Sequence, residues 1–111
     1  MNLHRLRDAM VGADVGALFV SDILNVQWLT GFTGSSGYAL VTAGDAVFIT
    51  DSRYTIQAGQ EVKDFEVVWF QRPQTLEGFV AENAARVGAK KVAFETSVSY
   101  ATWKSWTDKM S

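Results

Sequence analysis

Residues 38–54, "YALVTAGDAVFITDSRY", decide the fold that this sequence predicts. The two apolar runs Tyr38–Thr42 and Ala46–Thr50 are typical of strands, and the short turn Ala43-Gly44-Asp45 between them favours an antiparallel hairpin. A helical pattern over Tyr54–Val62 follows the second strand. A hairpin that leads directly into a helix indicates a sheet with both antiparallel and parallel strand pairs.

Outside this hairpin, helical and strand patterns alternate along the chain. Helical patterns surround Leu3, Leu6 and Met10, precede Gly31, follow the N-cap candidate Thr75, and begin again at Ser99 or Thr102 with Trp103 and Trp106 on one face. A strand buried on both faces is predicted over Val15–Val20, and further strands are predicted over Phe65–Phe70 and Val92–Phe94. We therefore predict an α/β fold with a mixed sheet of about five strands and helices on both faces.

The composition excludes several classes of partner. Ten basic and twelve acidic residues give a net charge of −2, and the longest basic run is Lys90-Lys91. Nucleic acid and acidic membrane surfaces both require a basic patch, so neither is expected as a partner. The longest apolar runs are four residues, far short of the roughly 20 that a membrane span needs.

The length and the absence of cysteine restrict the organisation and the compartment. The 111 residues suffice for one domain, which we expect to cover residues 1–111. A chain without cysteine mildly favours a reducing compartment, and the charged N-terminus does not resemble a signal peptide, so a cytoplasmic protein is expected. The final helix meets Ser111 without a terminating glycine, and we expect the chain to be the first part of a longer protein.

The glycine-rich segment "GFTGSSG", residues 31–37, has three possible interpretations. A phosphate loop and a nucleophile elbow both need a strand before the glycines and a helix after them, whereas the predicted order here is reversed. The only histidine, His4, lies on the first helix, so Ser35 and Ser36 have no evident general base. The segment is therefore interpreted as a structural turn, with Phe32 in the core or at the edge of a cleft.

The segment "TDSRY", residues 50–54, is the second candidate functional feature. Asp51 is suited to cap the following helix. Arg53 lies in the first turn of a predicted helix, where its positive charge opposes the helix dipole. Three roles are open from the residues alone: it pairs with Asp51, it is solvated, or it presents its guanidinium to a carboxylate of a ligand or partner. The acidic residues lie singly at turns, so no metal site is predicted in the chain itself.

Three segments together resemble the N-terminal domain of the creatinase, prolidase and aminopeptidase P family. They are "RLRDAM" at residues 5–10, "NVQWLTGFTG" at residues 25–34, and "TDSRYTIQA" at residues 50–58, with the predicted hairpin between the last two. The resemblance covers essentially the whole chain. The order "FTGSSG" then "TDSRY" favours the Xaa-Pro peptidase branch over creatinase.

The resemblance implies a ribonuclease-H-like fold and a function outside this chain. Family catalysis belongs to a second, C-terminal domain, where two divalent ions (manganese, cobalt or zinc) are held by Asp, His and Glu side chains and activate water against an Xaa-Pro bond. The expected partners are therefore that catalytic domain, a second copy of the chain, and proline-containing peptides. The parent protein would be a metallopeptidase, with no catalytic or metal-binding residue in this domain.

Four residues are the candidates for a position near the composite active site that the resemblance implies: Phe32, Asp51, Arg53 and Tyr54. Arg53 would meet a carboxylate of substrate or partner, and "GFTGSSG" would be a shaping loop at a subunit or cleft boundary. The alternative function is a stand-alone protein-interaction module of the same fold, without catalysis.

Overall fold

The computed structural model describes residues 2–89 and 91–94. Its elements in chain order are α1 (Asn2–Gly12), β1 (Ala17–Val20), α2 (Ile23–Thr30), β2 (Tyr38–Thr42), β3 (Ala46–Asp51), a 3₁₀ turn (Ser52–Tyr54), α3 (Thr55–Glu61), β4 (Glu66–Phe70), α4 (Leu76–Arg86) and β5 (Ala93–Phe94). The predicted last helix, with Trp103 and Trp106, lies outside the described residues.

The strands form one mixed sheet in the order β4-β3-β2-β1-β5. Strand β2 is antiparallel to both β1 and β3, while β3 pairs in parallel with β4 and β1 pairs in parallel with β5. The predicted mixed sheet of five strands is thus confirmed. Strands β1, β3, β4 and β5 all end at the same side of the sheet, where β2 begins; we call this side the carboxyl edge.

Helices cover both faces of the sheet, as predicted. Along β3, Phe48 belongs to the core on one face and Val47 and Ile49 belong to the core on the other. The first face packs against α1, α2 and α3 through Leu3, Met10, Val26, Leu29, Ala58 and Val62. The second packs against α4 through Val80 and Ala84. Because both faces are covered, the central strands are apolar at successive positions.

Residues at the ends of α2 and α4 satisfy backbone groups of these helices, and the sequence predicted the positions of Gly31 and Thr75. The Asp22 carboxylate accepts from the amides of Leu24 and Asn25 at the start of α2, and Gly31 ends that helix in the left-handed conformation, with φ 82°. The Thr75 hydroxyl accepts from the Gly78 amide at 3.1 Å and starts α4. Each cap satisfies a backbone group that the helix itself leaves unpaired.

Several element boundaries differ from the prediction: β3 extends to Asp51, β5 begins at Ala93, and α3 ends at Glu61. Three further differences have a visible local cause. The first strand begins at Ala17 and not at Val15, because the Val15 amide donates to Met10 O at 2.8 Å and completes the end of α1. The fourth begins at Glu66, after Asp64 turns the chain with φ 66°. The helix predicted from Tyr54 is preceded by a 3₁₀ turn that Asp51 caps.

Among residues 2–89 and 91–94, no helix has the length and apolar character needed to cross a membrane.

Candidate functional site

The segment 31–37 crosses the carboxyl edge above a group of aromatic rings. Phe32 is fully buried, with its ring 4.8 Å from that of Phe48 and 5.8 Å from that of Tyr54, edge-on. A Cβ at Gly34 would lie 2.3 Å from the Phe32 ring, and a Cβ at Gly37 would lie 2.8 Å from the Phe48 ring. The glycines are therefore required because the backbone lies directly on these rings.

Two polar side chains of α3 hold the outer part of this segment. Glu61 Oε1 accepts from the Thr33 amide at 2.8 Å, and the Thr33 hydroxyl donates to the same carboxylate at 2.9 Å. The Gln57 amide donates to the Thr33 hydroxyl at 3.1 Å. The hydrogen bond from the Thr33 amide is the main cause that lowers the pKa of Glu61 below its ordinary value.

The inner part of the segment is held by the end of β3. The buried Thr50 hydroxyl donates to Ser36 O at 2.6 Å. Ser35 Oγ and the Tyr54 hydroxyl lie 2.7 Å apart and share a hydrogen bond. The segment 31–37 and the segment 50–54 thus form one connected structure at the carboxyl edge, which we call the edge site.

Asp51 and Arg53 form a bidentate ion pair at the exposed surface of the edge site. Asp51 Oδ1 accepts from the Arg53 amide at 3.0 Å and caps the 3₁₀ turn. Arg53 Nε and Nη2 each donate to this carboxylate at 2.9 Å, and the guanidinium carbon lies 5.2 Å from the centre of the Tyr54 ring. Hydrogen bonding to the Arg53 side chain lowers the pKa of Asp51.

Of the three roles left open for Arg53, the pairing with Asp51 is the one present in the structure. The Arg53 side chain nevertheless remains 71% exposed, whereas that of Asp51 is 16% exposed. The carboxylate therefore orients the guanidinium, and much of the guanidinium surface faces solvent. An oriented guanidinium of this kind suits the recognition of a planar anionic group such as a carboxylate.

The four candidate residues occupy different depths in the edge site. Arg53 lies at the surface, Asp51 and Tyr54 are partly buried, and Phe32 lies fully inside the core, where its ring supports Tyr54. Phe32 therefore packs beneath Tyr54 inside the site.

Sequence reasoning missed several members of the site. Thr50 and Ser36 bind each other, and Tyr38 stands at the start of β2 with its pKa raised mainly by burial and further by the charges of Asp51 and Glu77. The Thr50–Ser36 hydrogen bond joins positions 14 residues apart in the sequence, so no local pattern indicates it. A hydroxyl residue within an apolar strand, as at Thr50, was the available signal.

The described residues offer no assembled catalytic group. Ser35 contacts Tyr54 and not a general base, and His4 lies on α1 beside Asp8, 3.4 Å away. Within residues 2–89 and 91–94, no group of three or more His, Cys, Asp or Glu side chains is placed to hold a metal ion.

Comparisons with known proteins agree on one family. The model described as Creatinase/Prolidase N-terminal domain matches residues 2–111. The uncharacterized peptidase YqhT of Bacillus subtilis (strain 168) is 35% identical over 108 residues, which are 96% of this chain and 30% of YqhT. The chain thus spans less than a third of that relative.

Two solved structures have the same fold. An Xaa-Pro aminopeptidase structure from Streptococcus pyogenes is 31% identical with a TM-score of 0.87, over 99% of this chain and 83% of the solved one. The N-terminal domain of the cytoplasmic peptidase PepQ from Mycobacterium tuberculosis H37Rv is 32% identical with a TM-score of 0.83, over 97% of this chain and 83% of that structure.

Proposed function

The chain belongs to the family of Creatinase/Prolidase N-terminal domains, and from this we propose that it is the non-catalytic N-terminal domain of a metal-dependent Xaa-Pro peptidase. In the longer protein, residues 1–111 would precede a catalytic domain that holds two divalent ions, manganese, cobalt or zinc. The domain would contribute to a homodimer and to the rim of the active site. The name of the cytoplasmic PepQ relative supports a cytoplasmic location.

The observation that carries the proposal is the rigid edge site with its oriented guanidinium. Hydrogen bonds from α3 and β3 fix the loop 31–37, and the carboxylate of Asp51 fixes Arg53. We propose that Arg53 and Tyr54 face the active site of the catalytic domain, where Arg53 meets a carboxylate of a proline-containing peptide or of the partner subunit. Asp51 and Phe32 act through them, by orienting the guanidinium and supporting the phenol ring.

The hydroxyl groups of the edge site, within the described residues, are consistent with a domain that positions the substrate and does not itself cleave it. A hydrolytic reaction needs an activated nucleophile. Ser35 shares its hydrogen bond with the Tyr54 phenol, and Ser36 contacts the Asp51 carboxylate, which is a weak base because its hydrogen bonds to Arg53 lower its pKa. A residue at the rim of an active site still raises the reaction rate when its contact with the substrate positions the scissile bond. Correct positioning lowers the activation barrier, because the reacting groups are already oriented for the reaction.

The test is an arginine exchange in the longer protein. Arg53→Ala removes the proposed carboxylate contact, and kcat/KM for an Xaa-Pro dipeptide should fall at least about tenfold, the typical effect of losing a charge-assisted hydrogen bond. Arg86→Ala is the matched control. Arg86 is also exposed and also forms an ion pair, with Glu66 at 3.0 Å, but it lies on α4 and not in the edge site. The control should leave kcat/KM unchanged.

Two outcomes would overturn the proposal. Equal kcat/KM for wild type and Arg53→Ala would remove the role of Arg53 at the rim. Metal-dependent cleavage of an Xaa-Pro dipeptide by residues 1–111 alone would contradict a non-catalytic domain. A longer protein that cleaves no Xaa-Pro peptide in the presence of manganese, cobalt or zinc would instead support the stand-alone interaction module.

A further inference from the structure

The two adjacent serines of the edge-site loop have hydroxyl groups with different partners. Ser35 is exposed, and its hydroxyl shares a hydrogen bond with the Tyr54 phenol at 2.7 Å. Ser36 is partly buried, and its hydroxyl forms hydrogen bonds with the Asp51 carboxylate and the Tyr38 phenol. Ser36 thus lies between the ion pair at the surface of the edge site and the first residue of β2.

The ion pair needs a contact with another segment of the chain if it is to keep a fixed direction. Asp51 and Arg53 are two residues apart in one segment, and the Arg53 side chain is 71% exposed. An exposed pair of this kind is weak, and it can move as one unit because both side chains rotate. The Ser36 hydroxyl joins the Asp51 carboxylate to the edge-site loop, which is a different segment. The position of the carboxylate relative to the loop therefore depends on Ser36.

The chemistry of the three groups sets the direction of each hydrogen bond. An ionised carboxylate only accepts, so the Ser36 hydroxyl donates to Asp51. Burial raises the pKa of Tyr38, so its phenol keeps its proton at neutral pH and donates to the Ser36 oxygen. The carboxylate accepts three hydrogen bonds from Arg53 and one from Ser36, which is about the capacity of its two oxygens. Hydrogen bonds connected in this way strengthen one another.

Two contacts with the core hold these hydrogen-bonded groups in place. The hydroxyl of Thr50, which is fully buried, donates to Ser36 O at 2.6 Å and fixes the backbone at that serine. The Tyr38 ring stacks on the buried ring of Phe19, with the ring centres 5.8 Å apart and the planes 9° from parallel. Because closely packed buried groups have few alternative positions, they can orient a side chain at the surface.

We propose that Ser36 is a positioning residue whose hydroxyl holds the Asp51 carboxylate, so that the Arg53 guanidinium keeps one direction at the rim of the active site. Tyr38 supports this hydroxyl from the sheet. The inference rests on the proposed function and deepens it, since it names a residue that acts on substrate binding through Arg53. A guanidinium that is already oriented loses less conformational freedom when a carboxylate binds, and more of the binding energy is retained.

The first experiment follows the two side chains of the ion pair by NMR in the 111-residue chain. Ser36→Ala should raise the pKa of Asp51 towards its ordinary value, because the charged form loses a hydrogen bond. The Arg53 Nε–H should exchange faster with water, because its acceptor is no longer held. Ser36→Thr keeps the hydroxyl and should restore both values. A serine that only stabilised the loop would lower the free energy of unfolding and leave both values unchanged.

Two further variants make this measurement specific. Ser35→Ala is the matched control, because it removes a hydroxyl one residue earlier whose partner is Tyr54, and it should leave the pKa of Asp51 unchanged. Tyr38→Phe keeps the ring but removes the donor to Ser36, so it should raise the pKa of Asp51 by less than Ser36→Ala does. It also tests the same hydrogen bonds if Ser36→Ala fails to fold.

The second experiment is a double-mutant cycle in the longer protein. Ser36→Ala should lower kcat/KM for an Xaa-Pro dipeptide about three- to tenfold, and by less than Arg53→Ala, because the guanidinium is present but poorly oriented. In the Arg53→Ala background the same serine exchange should have no further effect. A residue that acts through Arg53 has nothing left to position there, so the two effects should not add.

The results separate this inference from the proposed function. An unchanged pKa of Asp51 in Ser36→Ala, or a serine effect on kcat/KM that persists in full without Arg53, would overturn the positioning role while the role of Arg53 stands. An Arg53→Ala variant as active as wild type would overturn the role of Arg53 at the rim, and the positioning role with it. The NMR titration would then still show whether Ser36 holds the ion pair.

Discussion

Strands β3 and β4 are parallel neighbours with similar apolar sequences, yet they have opposite environments. In β3, the four residues from Val47 to Thr50 are at most 1% exposed. In β4, no residue is fully buried. Sequence composition did not distinguish them, because "AVFIT" and "EVVWF" are both typical of strands in a covered sheet. Their different burial follows from their positions in the sheet. Strand β3 has a strand on each side and the edge-site loop above it, whereas β4 has a described strand on one side only.

The edge site and strand β4 therefore differ in how much they contribute to stability. The edge site is fixed by packing and hydrogen bonds that converge on β3, so changes there should cost stability. The side chains of β4 are less buried, so comparable changes there should cost less.

Removing the aromatic ring at the centre of β3 should be severe. Phe48→Ala leaves a cavity beneath Phe32 and should lower the free energy of unfolding by about 3–5 kcal/mol. Trp69→Thr in β4 should cost about 1 kcal/mol or less in dilute solution, because its ring is already half exposed. Urea unfolding of both variants measures the difference. Equal losses would show that the two strands are not distinct in this respect.

A methyl group at Gly37 should also be costly. The new Cβ would lie 2.8 Å from the Phe48 ring and 2.9 Å from the Phe32 ring, so Gly37→Ala should lower stability by about 1–3 kcal/mol through overpacking. Gly44→Ala, at the other end of β2, has no atom within 4 Å of the new Cβ and serves as the control. Thermal unfolding should show a lower midpoint for the first variant only.

The hydroxyl of Thr50 should have a smaller effect that depends on its hydrogen bond. Thr50→Val keeps the shape but removes the donor to Ser36 O, and should cost about 1 kcal/mol. Thr50→Ser keeps the donor. If valine and serine lower the unfolding free energy equally, the loss reflects packing and the hydrogen bond does not hold the loop.

The Asp51–Arg53 pair should give the smallest effect, and one that depends on pH. The pKa of Asp51 is lowered in the folded state from its ordinary 3.8. Its charge therefore stabilises the fold above about pH 4, and this contribution is lost as pH falls through the lowered folded-state pKa. Asp51→Asn keeps the cap and removes the charge, so it should cost under about 1 kcal/mol at pH 7 and nothing at the lowest pH. A stability difference that grows on acidification would contradict the assignment.

Local signals predicted most of the fold. The hairpin and the cap at Thr75 are each specified by a few adjacent residues, and both appear where predicted. Two of the missed boundaries, at Val15 and Phe65, have a shared cause. Asp14 and Asp64, the residues directly before these two positions, adopt positive φ. Aspartate tolerates this conformation, but its presence in a sequence does not predict it.

The edge site was predictable only in part. Asp51 as a cap followed from its position at a strand-to-helix junction, but the bidentate contact with Arg53 was one of three alternatives. The burial of Phe32 and the bonds Ser35–Tyr54 and Thr50–Ser36 depend on residues that are distant in sequence. Such contacts can be predicted only once the register between β2 and β3 is known, because that register sets which distant residues lie side by side.

The order of helices and strands, the mixed character of the sheet and the family resemblance could all be predicted from the sequence, because they follow from the identity and spacing of neighbouring residues. The tertiary structure decided which strand is central and which is terminal, why Gly34 and Gly37 bear no side chain, and which carboxylate holds Arg53. The reason is physical: burial and hydrogen-bond partners are properties of positions in space, and the chain sets those positions only when its distant segments pack together.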